Sequence, residues 1–119
     1  MAHWDAGKVY ALLSDYHSHT TYTPESVTRR LTECGFEARP LPDGSGIRIG
    51  DTVIGVSQPD WGGPGIWSLS LAYALYKIMT GQSYVSEYVG RGFQYRDLLE
   101  RFRELAEEQS GADNPAAGE

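Results

Sequence analysis

With 119 residues, 16 acidic against 10 basic side chains and a net charge of -6, the chain is sized for one domain that buries about two-thirds of its unfolded surface. A single cysteine, Cys34, excludes an internal disulfide, and no long basic stripe is present to release counterions from a nucleic-acid backbone. The start, MAHWDAGK, has no basic region leading into an apolar one, so a cytoplasmic protein that needs no cofactor or metal to fold is the expectation.

In chain order, Asp5 is placed to cap a first helix from Ala6 to about Asp15, because Val9, Leu12, Leu13 and Tyr16 recur at i, i+3, i+4 and i+7. His17 to Tyr22 is a polar linker. Thr23-Pro24 then supplies the cap and first-turn residues of a second helix, with Val27, Leu31 and Cys34 as its apolar stripe. Gly35 is the expected left-handed stop, and Phe36 stands where a Schellman ending takes its hydrophobic contact.

From Phe36 the period changes to two. Phe36 to Arg39, Ile47-Arg48-Ile49 and Thr52 to Val56 predict three antiparallel strands, joined by Asp43-Gly44-Ser45-Gly46 and by a II′ turn at Gly50-Asp51. Three strands with one apolar face need a lid. The lid expected here is Ile66 to Thr80, IWSLSLAYALYKIMT, which is apolar on nearly every side and so predicts a helix buried all round. At fifteen residues it is shorter than the roughly 20 of a membrane span.

Tyr84 to Val89 fits strand or helix, with a lean towards helix, and Gly90-Arg91-Gly92 is expected to break it. A last amphipathic helix is predicted from about Gln94 to Gln109, with Tyr95, Leu98, Leu99, Phe102, Leu105 and Ala106 on one face. The resulting expectation is an α+β domain over residues 1–109: a three-stranded antiparallel meander on a buried central helix, with flanking amphipathic helices. Residues 110–119 are expected to be a flexible acidic tail. Residues 97–119 carry a net charge of -5, which is either a solubilising face or a surface for a basic partner.

Three constellations carry possible chemistry. In the first, Asp15-Tyr16-His17-Ser18-His19-Thr20, the two histidines at i and i+2 fall on the same side of an extended segment and can reach one metal. This stretch of about twenty residues resembles the opening motif of the PHP (polymerase and histidinol phosphatase) metallophosphoesterases. The resemblance implies catalytic metal at His17 and His19, with Asp15 nearby. No Asp-His motif follows the next strand, the only other histidine is His3, and that family's barrel is longer than this chain. A polar loop between two helices is the simpler reading of the same residues.

The second is the loop SQPDWGGPG, which sets Trp61 and Trp67 on either side of a stiff turn but lacks the lysine of a phosphate-binding loop. The third gathers Tyr84, Tyr88, Arg91, Phe93, Tyr95 and Arg96 around Gly90-Arg91-Gly92. Tyr, Trp and Arg dominate interface hot spots. Eight tyrosines and three tryptophans against three phenylalanines favour aromatics that work at a wet surface. Cys34, near a helix end with no histidine close in sequence, is expected to be a core residue rather than a nucleophile.

These features favour a small, acidic, non-enzymatic protein-interaction domain of the inhibitor, immunity or adaptor kind. Trp61, Trp67, Tyr88, Arg91, Glu100, Glu104 and Glu107 are its contact residues, and a homo-oligomer through the last helix is a further possibility. A metal-dependent phosphoesterase-like protein using His17 and His19 is one alternative. The other is a nucleic-acid module with a helix and wing over Thr23 to Val56, using Arg29, Arg30, Arg39 and Arg48.

Overall fold

The computed structural model describes residues 4–15, 20–60 and 63–113. Helix α1 (Ala6–Ser14) is capped by the Asp5 carboxylate, which accepts from the Lys8 N–H at 3.1 Å, and it buries Val9, Leu12 and Leu13. Helix α2 (Pro24–Glu33) is capped by Thr23, whose hydroxyl accepts from the Ser26 N–H. It stops as its sequence demands. Gly35 takes φ 101°, its N–H donates to Thr32 O, and the Phe36 N–H donates to Leu31 O, the paired bonds of a Schellman motif. Phe36 is thereby folded into the core at 7% exposure.

Strands β2 (Ala38–Pro40), β3 (Gly46–Ile49) and β4 (Thr52–Gly55) form an antiparallel sheet in that order. Ile49 pairs with Thr52 across Gly50-Asp51, and only the glycine of that turn has positive φ, as a II′ turn requires. Ile47, Ile49 and Ile54 share the buried face, whereas Arg39, Arg48 and Val53 share the exposed one. Helix α2 covers β2 and β3, and the third helix lies beside β4. The expected α+β architecture, a three-stranded antiparallel sheet against helices, is therefore present.

The central helix differs from expectation at its start and on one side. Ile66–Trp67 is a short strand, β5, antiparallel to β1 (Thr21–Tyr22), so the segment expected as a polar linker ends in a strand. Helix α3 accordingly begins at Ser68 and runs to Thr80. Trp67 at its N-cap makes no side-chain capping bond, and the Ser68 N–H is satisfied instead by Thr20 O at 2.8 Å. Gly65 lets the two strands meet, because a Cβ there would stand 2.5 Å from Tyr22 O. Leu69, Leu71, Ala72, Leu75 and Met79 are buried, but Ser70, Tyr73, Ala74 and Ile78 are only half-buried and Lys77 is exposed. The helix is thus not buried all round: one stripe is only half covered.

Helix α4 (Arg91–Asp113) is longer than expected at both ends. Gly90 stands just outside it, and Arg91-Gly92, expected before the helix, form its first two residues. Gln94 holds this end: its N–H donates to Gly90 O, its side-chain amide donates to Tyr88 O, and its Oε1 accepts from the Tyr73 hydroxyl at 2.6 Å. At the other end the backbone of 110–113 is helical. Residues 114–119 lie outside the described residues. The α4 stripe of Tyr95, Leu98 and Phe102 is buried, with α1 and α3 as its helix neighbours. The Tyr95 hydroxyl donates to Leu13 O at 2.7 Å, while Gln109 accepts from the Ala6 N–H and donates to Trp4 O.

Candidate functional site

Between Gly81 and Arg91 the chain has neither strand nor helix, contrary to the lean towards a helix over 84–89. This connection exposes apolar side chains: Val85 at 78%, Val89 at 96%, Tyr88 at 51%, and Phe93 in the first turn of α4 at 57%. The rings of Tyr88 and Phe93 stack at 6.2 Å with 22° between planes, and the Arg96 guanidinium lies 5.5 Å from the Phe93 centroid. Burying a valine completely gives about 1.5 kcal/mol or more. Among the described residues these four and Val53 of β4 are the large hydrophobic side chains left exposed, and four of the five fall within nine residues.

The connection is nevertheless fastened at its middle. Tyr84 packs against Tyr73 at 5.5 Å and edge-on against Tyr76 at 5.9 Å, while the Arg101 guanidinium sits 4.8 Å from its ring centroid. Its hydroxyl donates to Asp97 Oδ2, and Arg101 reaches the same carboxylate at 3.4 Å and donates to the Tyr76 hydroxyl at 3.2 Å. Burial, reinforced by the hydrogen bond to Asp97, pushes the Tyr84 phenol up to about 12. Rings and charges on α3 and α4 therefore hold one residue, and its neighbour Val85 projects from that anchor.

The residues singled out by sequence fall into separate groups. Arg91 lies over Trp67 at 5.1 Å, and both line a cavity of about 320 Å³ with Gln58, Pro59 and Asp60. Tyr88 shares a second cavity of about 340 Å³ with Phe93, Arg96, Asp97 and Glu100. Glu100 and Glu107 both bind Arg103, at 2.8 and 3.0 Å. Glu104 borders a third cavity with Tyr76, Thr80 and Glu100. Trp61, His17 and His19 lie outside the described residues. No cluster of three or more metal-ligating side chains occurs among the described residues.

Arg30 pairs with Asp15 at 2.7 Å, and Arg39 stands opposite Arg48 across the β2–β3 register. Cys34 is buried, and that burial pushes its thiol up to about 11. This is a core thiol's environment, opposite to the depressed value of a nucleophile. Val85 and Val89 were not among the sequence candidates. Their signal was an apolar pair in a segment, bounded by Gly81 and Gly90, that periodicity assigns to neither helix nor strand alone. No helix among the described residues is long and apolar enough to cross a membrane.

No family model matches the chain, and no curated protein or solved structure is significantly similar to it.

Proposed function

We propose that this protein is a small non-enzymatic interaction domain that docks on a larger protein through the α3–α4 connection. The observation that carries the reading is the set Val85, Tyr88, Val89 and Phe93, exposed together on a segment that Tyr84 anchors to two helices. Apolar groups on a fixed platform lose little conformational freedom on docking, which is where affinity is otherwise lost. Tyr88 and the flanking Arg91 and Arg96 are of the residue types enriched at hot spots. Inhibitor, immunity and adaptor roles all fit such a surface. The acids of α4 form its polar flank, since Glu100 borders the Tyr88 cavity.

The test compares the wild-type chain with a Val85→Ser/Val89→Ser variant as bait in lysate from the source cells. A stoichiometric partner held by the wild type and lost by the variant, with folding unchanged by circular dichroism, is expected. A partner bound equally by both would remove the connection from the interface.

A further inference from the structure

A second surface adjoins that connection, whose Ser83 and Tyr84 form one of its borders. β4 is the edge of its sheet, and its register fixes which backbone groups are in use. The Val56 N–H donates to Ser45 O, and Ile47 and Ile49 lie opposite Ile54 and Thr52, so residues 52, 54 and 56 direct their amide and carbonyl groups to β3. Val53 and Gly55 direct theirs the other way. On that side α3 lies next to β4, and a groove of about 760 Å³ opens between them. Its helical wall is the half-open stripe Ser70, Tyr73, Ala74, Lys77 and Ile78, spaced at i, i+3, i+4, i+7 and i+8. A strand edge with outward backbone groups and a half-buried helix stripe, in which Tyr73 packs on Tyr84 and bonds Gln94, therefore border one groove.

The geometry points to a peptide-binding groove whose occupant is an extended segment of another protein, added to β4 as a further strand and carrying a carboxylate opposite Lys77. Three observations select this occupant. Two outward N–H and two outward C=O groups along one strand match the alternate backbone groups of a second strand, whereas a helix has already used its own. The apolar lining from Val53, Ala74 and Ile78 suits every second side chain of such a strand. Lys77 is the only charged residue among the described residues of the lining, and no described residue forms an ion pair with it.

Selection of phage-displayed random peptides of about seven residues, enough to span β4 with an overhang, tests the proposal on the full chain. Sequences that alternate apolar residues and carry an acidic one are expected. N-methylating the amides of a selected peptide one at a time is expected to weaken binding about tenfold at every second position and little between, since only alternate amides face β4. Lys77→Glu is expected to weaken acidic peptides about fivefold. Val53→Pro, which removes an N–H that β3 does not use, is expected to match the N-methyl effect.

No enrichment, uniform tolerance of N-methylation, or binding indifferent to Lys77→Glu would each overturn the proposal without relying on the fold of the proline variant. A dimer in sedimentation that Val53→Pro dissolves would give the edge to a second copy instead. Val85→Ser/Val89→Ser is expected to retain the peptide, so failure here and failure of the connection interface remain distinguishable.

Discussion

Helices α2 and α3 both stop on a glycine in the left-handed region, Gly35 at φ 101° and Gly81 at φ 74°, yet the chain does opposite things after them. After Gly35 it returns at once: Phe36 closes the Schellman pair and enters the core. After Gly81 it runs through nine residues that reach α4 with Val85 and Val89 in water. The same stop signal thus permits either a sealed corner or an exposed one. What separates them is whether the following apolar residue meets a buried surface. The first corner holds the fold together, and the second holds side chains out.

Four measurements break or sharpen that contrast. Phe36→Ala opens a cavity in the sealed corner and is expected to destabilise the protein by about 3 kcal/mol in denaturant unfolding. A loss below about 1 kcal/mol would show that Phe36 merely lies against the core. The sealed corner also contains Cys34, whose thiol is raised from its ordinary 9.0 to about 11 by burial. Its contribution is fully present below pH 9 and fades as the unfolded chain ionises first, so stability is expected to fall between pH 9 and 11. The slope from this one group is at most about 1.4 kcal/mol per pH unit. Cys34→Ala is expected to remove that component, and an unchanged slope would assign the decline to tyrosines.

In the exposed corner Tyr84→Phe removes the hydroxyl bonded to Asp97 and is expected to cost about 1 kcal/mol. It should also speed amide exchange across 82–90, and unchanged exchange would mean that ring packing alone fixes the connection. The smallest effect belongs to Val85→Ser/Val89→Ser, expected to change stability by less than about 0.5 kcal/mol because both side chains are already solvated. A larger loss would show that these valines serve the fold.

The same contrast marks what could be read in the sequence. Thr23-Pro24, Gly35 and the alternation from Phe36 to Val56 are local signals, and α2, its cap and the meander follow from them directly. The β1–β5 pair could not be read so. Two residues per strand carry no periodicity, and Thr21 meets Trp67 only in the folded chain. The start of α4 was hidden for a related reason: Gly92 is a poor helix former, and the contacts of Gln94 with Tyr73 and Tyr88 that hold the first turn are made only in the folded chain. For the site, Tyr88 and Arg91 stood out by residue type. Val85 and Val89 did not, because valine is ordinarily a core residue and only tertiary placement shows it stranded. The open stripe of α3 was likewise masked by composition, since Tyr73, Ala74 and Ile78 look the same in sequence whether or not a layer covers them.

The two hydrogen bonds from α4 to α1 set an order of events. Tyr95 reaches back 82 positions to Leu13, and Gln109 reaches back 103 to Ala6. A nascent chain emerging from the ribosome exposes α1 long before either partner has been synthesised. With nine residues, α1 is too short to persist alone in water. Its apolar face must therefore wait while α2 and the meander, built from neighbouring residues, take shape. For this chain the earliest helix in sequence is among the last to become secure, and the interval before α4 arrives is when Val9, Leu12 and Leu13 are open to chaperones or to aggregation.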